Sequence, residues 1–433
     1  MPRHTGDAPG MRPDASLSYK NATMKHLKIM ACLLLLGCMA PATALCAGEH
    51  APKRSRGKGH DRPYSETMYV KRQGGDLYIS AKLDERTDIT YWFRRCMFNE
   101  LYTFYRVVSR AALPTTQPEA EPAVLLNSTY SDNIGPFAIP GCGWCGGNHK
   151  YRERTARTAR SEGYTLLADG NRIEGDTTLW ANRVTVEAEN VILDPTRPYR
   201  NAAGGEELRD TLCRESVTYT VRRNNIEVAA SHRFCNAAPV TIAIYYGMQS
   251  MFEGETHVLT PGGAYTDWTE AAKASTFTKQ EYPLFRRYVE KNRQGYQSTW
   301  LLPDGLGDHA LLDGQDDIFI YAPYGKSYHK LFGNKRMENG DKTCWRGVYT
   351  WFETPVADDA DLLCYEGSAG GHTAVFIDCK RACKRTLALP GYLDLRHFGT
   401  AEQNSGIRIS AAGRNKLKIK ADAPGSCVLL LRE

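Results

Sequence analysis

Reactive side chains are densest between residues 130 and 151. Tyr130-Ser131-Asp132-Asn133-Ile134-Gly135-Pro136-Phe137 leads into Gly141-Cys142-Gly143-Trp144-Cys145-Gly146-Gly147-Asn148-His149-Lys150-Tyr151. Glycines let a backbone take left-handed angles and come close to a ligand. Trp144 offers a flat apolar face suited to the hydrophobic side of a sugar ring. Asp132, Asn148 and His149 add a carboxyl, an amide and an imidazole. A second cluster is Tyr321-Ala322-Pro323-Tyr324-Gly325-Lys326-Ser327-Tyr328-His329-Lys330, just beyond a strand-like run. Phenol and imidazole side by side pass protons when burial and neighbours move their pKa values toward neutral. Lys326 can balance a carboxylate. The expected proton carriers are therefore His149, Tyr328 and His329, with Asn148 orienting and Trp144 stacking. Both stretches also read simply as a Gly-rich loop at the end of a sandwich and a Tyr-rich turn.

Other candidates are more dispersed. His232 sits in an alternating run, so Ser231 and Arg233 should face the other side of its strand. Glu353, in Trp351-Phe352-Glu353-Thr354-Pro355, ends a strand and can serve as a general base or as a solvated strand end. Cys142-Gly143-Trp144-Cys145 is a CxxC, compatible with a local disulfide or free thiols, with a metal pair, or with redox chemistry. Redox use requires the first Cys at a helix N-terminus in a βαβ setting, which the surrounding sequence does not offer. The acidic runs 304–309 and 313–317 have oxygen ligands that suit Ca²⁺ but lack the EF-hand pattern. No metal site and no cofactor is expected. GxSxG, HExxH, P-loop and GxGxxG patterns do not occur, so those enzyme classes gain no support.

The elements that must hold these groups read as strands. Asp76 to Leu83, Val184 to Glu189, Ser216 to Val221 and Ile226 to Phe234 alternate with period two. The last two flank Arg223-Asn224-Asn225 and predict a hairpin. Further runs are Val240 to Tyr246, Gly347 to Glu353, Thr373 to Asp378, Lys416 to Lys420 and Cys427 to Leu431. Helices are expected only at Thr266 to Ala274 and Glu281 to Lys291. Many strands and few helices predict a mainly β fold, a large antiparallel β-sandwich. The segment 64–399 is expected to be that sandwich, with 400–433 as closing strands or a small β appendage.

The chain has 433 residues and a formal charge of +6. Met24-Lys25-His26-Leu27-Lys28, the apolar run Ile29 to Met39 and Ala42-Thr43-Ala44 read as a signal peptide preceded by an upstream mis-start, together 1–47. The protein is thus expected to be exported, to the periplasm or the cell surface, with Cys38 a possible lipidation site. Residues 48–63 read as a basic linker. Five basic residues against two acidic ones fall in 1–47, and again in 48–62, so the excess charge lies outside the folded body. That argues against a nucleic-acid partner. No transmembrane segment is expected after the signal peptide. Of thirteen cysteines, ten follow the leader, an even number that permits disulfides in an exported chain.

Asn148-His149 with a following aromatic, then His232, then Glu353, resembles sugar mutarotases of the galactose mutarotase type. His149 with Tyr328 or His329 looks similar to the centres of polysaccharide lyases built on the same β-supersandwich. The resemblance implies an exported carbohydrate-active protein whose partner is an oligo- or polysaccharide. It implies ring opening by a carboxylate and a His, or removal of the proton beside a uronate carboxylate. Asp132, Trp144, Asn148, His232, Lys326 and Glu353 would then hold the sugar. A non-catalytic glycan-binding or cell-surface sandwich is the competing expectation.

Overall fold

The computed structural model describes residues 62–111, 115–128, 134–153, 156–251, 255–260, 263–267, 276–277, 286–302, 318–321 and 326–431. The leader, almost all of the basic linker, Asp132 and the acidic runs 304–309 and 313–317 lie outside the described residues. The fold is mainly β, and one 3₁₀ turn, Tyr151–Glu153, is the helical element among those residues. Period-two patterning explains why. Along Val184–Leu193 the side chains of Val184, Val186 and Ala188 are buried, while Glu187 and Glu189 are exposed. Such a segment buries its apolar face only as a strand.

All pairings are antiparallel and form three large sheets before residue 356. The first orders Thr177–Ala181, Met68–Gln73, Asp76–Lys82, Thr87–Cys96, Leu101–Ala111 and Val124–Ser128. The central sheet has ten strands and runs from Tyr265–Asp267 through Arg286–Asn292, Gly295–Leu302, Lys342–Phe352, Asn225–Phe234, Thr211–Arg222 and Val184–Leu193 to Ala159–Ala168 and its edge. A short sheet places Lys326–Met337 beside Val240–Met251, Phe137–Ile139 and Gly143–Cys145. Their inner faces share one apolar core, including Ile79, Tyr91, Phe104, Val186, Tyr219, Tyr245, Trp345 and Trp351.

A second sandwich follows. Leu362–Ala369, His372–Cys379, Gly425–Leu431 and Phe398–Gln403 form one sheet, and Cys383–Ala388, Lys416–Ala421 and Ile407–Gly413 form the other. The strands of 400–433 are therefore interleaved with strands that begin at residue 357. A third core ties this sandwich to the central sheet: Trp300, Val348 and Phe352 pack with Leu363, Tyr365 and Phe376.

The predicted hairpin is present. Arg222 pairs with Asn225, leaving Arg223-Asn224 as a two-residue turn, and Arg223 has φ of 29°. Positive φ at the turn matches the twist of the flanking strands. The two expected helices are corrected: residues 265–267 and 286–292 are strands, while 268–275 and 278–285 lie outside the described residues. Cross-strand pairing of Val289 with Ser298 and of Val258 with Thr266 overrides the local helical pattern.

Candidate functional site

The expected site residues fall into separate groups. His149, Trp144, Tyr246 and Tyr328 form a row of rings. Successive centroids are 5.7, 5.2 and 4.9 Å apart, and the last two pairs are stacked. The short sheet produces this row because Gly143–Cys145, Val240–Met251 and Lys326–Met337 belong to it. Two rings separate His149 from Tyr328, so imidazole and phenol do not share a proton directly. Tyr246, which sequence reasoning missed, has Trp144 and Tyr328 stacked on it, and it and Tyr328 are only 8% and 9% exposed. The Tyr246–Tyr328 end of the row is internal packing, while Trp144 and His149 at the other end are half-buried. The loop before it is fixed by Asn99, fully buried, whose Nδ2 donates to the carbonyls of Gly147 at 2.9 Å and His149 at 3.0 Å. Asn148 Oδ1 accepts the Phe98 N–H.

His329 lies on the opposite side of its strand from Tyr328. It is fully buried, with its ring stacked 5.0 Å from Tyr288. Alternation along Lys326–Met337 thus divides the adjacent pair that was expected to act together. Lys326 begins that strand, half-buried and paired with Met251 and Tyr321. His232 is buried in the main core, where its Nε2 lies 2.9 Å from Glu215 Oε2 and Asn190 donates to the other carboxylate oxygen. Phe137 and Tyr245 pack edge-on against its ring. Its other ring nitrogen, Nδ1, is buried with no hydrogen-bond partner among the described residues, and the ring, 2% exposed, is enclosed by the core. The CxxC holds two free thiols, and Cys145 Sγ donates to the Leu193 carbonyl at 3.0 Å. Burial pushes both thiols up.

Glu353 lies elsewhere, in a cavity of about 380 Å³ between the large body and the second sandwich. Glu353 shares this lining with Arg223, Glu366, Tyr64, Tyr392 and Arg86. Burial raises its carboxyl above the usual range, opposed by the hydroxyls of Thr87, at 3.0 Å, and Ser109. Burial would raise Glu366 as well, but Arg223 and Arg62 hold it below the usual carboxylate range. Arg223 Nη2 donates to Glu366 Oε1 at 3.0 Å; Arg62 Nη1 donates to Oε2 at 2.9 Å, and Arg62 Nη2 donates to Oε1. Tyr392 donates to Oε2 at 3.1 Å. Two carboxyls driven apart in acidity within one cleft are a recognised acid/base arrangement.

The hairpin turn builds this node. Arg223 keeps its left-handed backbone while Tyr91 donates to its carbonyl at 2.9 Å. Such a non-glycine conformation costs of order 1–3 kcal/mol and concentrates at functional sites. Asn224 Nδ2 bridges the carbonyls of Trp351 and Glu366 at 3.0 and 3.1 Å. Asn225 exchanges hydrogen bonds with Ser368. Close approach requires Gly367: a Cβ there would lie 2.9 Å from Thr350 Cγ2 and 3.0 Å from Phe376 Cε2. A second cavity, about 220 Å³, opens on the other side of Arg223 and Glu366 and is lined by Arg222 and His372.

The protein is thus a mainly β sandwich protein with an arginine-buttressed carboxylate cleft. No family model matches the sequence, and no curated protein matches it. Among solved structures it is similar to an α-galactosidase variant from Geobacillus stearothermophilus, with 10% identity, 67% of this chain, 41% of that one and a TM-score of 0.30. A protein described as an aldose 1-epimerase from Klebsiella pneumoniae gives 10% identity, 65% and 82% coverage and a TM-score of 0.29. A heparan sulfate lyase mutant from Pedobacter heparinus gives 8% identity, 72% and 41% coverage and a TM-score of 0.28. The chain spans about two fifths of the length of the first and third of these. No described helix is long and apolar enough to cross a membrane.

Proposed function

We propose that this is an exported carbohydrate-active protein whose sugar site is the Glu353–Glu366 cleft, not the loop around His149. Glu353 holds a proton at pH values where an exposed glutamate has lost it. It donates that proton to the sugar ring oxygen as the bond from that oxygen to the anomeric carbon breaks and the anomeric hydroxyl gives its proton to solvent water; ring closure reverses both transfers. Glu366 stays ionised and fixes Arg223 and Arg62, so its role is positioning. The phenols of Tyr64 and Tyr392 lie in the lining as hydrogen-bonding groups. Arg86 lines the cleft with no ion-pair partner among the described residues and can meet an anionic substituent. The substrate class is carried over from the mutarotase and lyase resemblance through Glu353 alone, since His149, His232, Tyr328 and His329 lie outside the cleft.

One observation carries the reading: Glu353, held by the Thr87 hydroxyl, and Glu366, held by Arg62 and Arg223, line one cavity. The test is a screen of the purified chain against neutral and uronate-containing saccharides, with Glu353→Gln as comparator. General acid catalysis contributes roughly 10²–10⁴-fold. The variant is expected to lose turnover by that factor, to bind the saccharide as before, and to lose the fall in activity at higher pH. Full activity of Glu353→Gln would refute the assignment. Saccharide binding without turnover in the parent protein would favour the glycan-binding alternative.

A further inference from the structure

A second buried carboxyl plays no part in the cleft. Glu290, fully buried on Arg286–Asn292, sits where the central sheet meets the short sheet. Its Oε2 lies 2.7 Å from Ser250 Oγ and its Oε1 lies 2.7 Å from Ser327 Oγ. The two serine oxygens are themselves 2.6 Å apart. Three short oxygen–oxygen contacts close a triangle, and each needs a hydrogen between its atoms. Two serine hydroxyls supply two. Tyr288 cannot supply the third, because its phenol lies outside the triangle, 2.7 Å from Ser327 and 3.2 Å from Ser250. Gln297 Nε2 approaches Oε2 from outside at 3.4 Å. The missing hydrogen has one remaining place.

We propose that Glu290 is held as a neutral carboxylic acid and that its proton latches the two sheets, making this seam a pH-sensitive device. The assignment is cyclic. Glu290 donates to Ser250, Ser250 donates to Ser327, and Ser327 donates back to Glu290. Tyr288 donates to Ser327 from outside. Burial raises the Glu290 carboxyl to about 7, against the pull of the two serine hydroxyls. The groups facing it are Tyr288 on its own strand, Ser250 on Val240–Met251, and Ser327 and His329 on Lys326–Met337. Gln297 and Thr299 come from Gly295–Leu302, and Tyr349 from Lys342–Phe352. Of these, His329 alone can become a cation.

The sign follows from linkage. The folded carboxyl titrates above its unfolded value of about 4.3, so the folded state keeps a proton that the unfolded state loses. Stability contributed by Glu290 is complete below about 4.3, falls as pH rises toward about 7, and is level above that. Above about 7 one triangle contact has no hydrogen and the buried charge faces no arginine or lysine in this set.

The full chain should be compared with Glu290→Gln by thermal unfolding from pH 5 to 7.5. Glutamine donates to Ser250 and accepts from Ser327, keeping the triangle without a titration. The expected result is that the parent Tm falls relative to the variant by about 3 °C across that range. Infrared spectra at pH 6 should contain the carbonyl band of a protonated buried carboxyl in Glu353→Gln as well as in the parent, which separates it from the cleft carboxyl and does not depend on the Glu290 variant folding. His329→Gln should keep the parent's pH profile. A constant Tm difference, no protonated carbonyl band, or a profile abolished by His329→Gln would each overturn the proposal.

Discussion

Replacing Glu366 by Gln tests the cleft's construction most directly. The carboxylate accepts from Arg62 through both oxygens, from Arg223 and from Tyr392, and the side chains of Glu366, Arg62 and Arg223 are 10%, 9% and 10% exposed. Removing one partner of a buried ion pair leaves uncompensated charge and costs about 3–5 kcal/mol. Here one residue leaves two guanidiniums, so the upper part of that range is expected. At about 2.1 cal/mol/K of unfolding entropy per residue, a body extending from 62 to 431 gives a Tm fall of roughly 4–6 °C. The pH dependence has a definite direction. Because the folded Glu366 titrates below its unfolded value, its stabilisation is present above about 4.3 and disappears as pH falls through the folded pKa. The parent should therefore lose its advantage over Glu366→Gln on acidification. Calorimetry from pH 3 to 7 reads both effects. An unchanged Tm at pH 7, or a difference that grows toward acid pH, would refute the node as described.

Two further outcomes are expected. Gly367→Ala should lower Tm through overpacking of about 1–3 kcal/mol, since Thr350 and Phe376 stand at 2.9 and 3.0 Å from the new methyl; a neutral result by differential scanning calorimetry would mean that the strand moves freely off the central sheet. In the native, reduced protein Cys145 should resist alkylation while the half-buried Cys235 and Cys344 react, because burial raises the Cys145 thiol and its Sγ is bonded to Leu193; peptide mass mapping with an alkylating reagent checks this, and rapid labelling of Cys145 would reject the buried placement.

The architecture was legible because burial of one strand face demands alternation, and the alternating runs at 184–189, 216–221 and 226–234 are strands at those places. The expected helices at 266–274 and 281–291 were misread at 266–267 and 286–291, where an edge strand and a strand paired on both sides take their conformation from partners instead of from propensity. The site was only partly legible, and the reason is distance along the chain. Glu353 was visible as a carboxyl ending a strand. Its partner node unites Arg62, Arg223 and Glu366, the first and last 304 positions apart in the chain. Nothing local in Tyr365-Glu366-Gly367 marks a functional carboxylate; the only local hint was Arg223 inside a two-residue hairpin turn, a place where Gly or Asn is usual. Conversely, the Gly-rich stretch around Trp144 and His149 had every local sign of a site and folds as a ring stack clamped by Asn99. Glycine density reports that a backbone must bend, and aromatic density that something must be covered. In a fold with this many layers, the protein's own next strand meets both demands, so polar groups brought together by tertiary pairing are the better guide to chemistry.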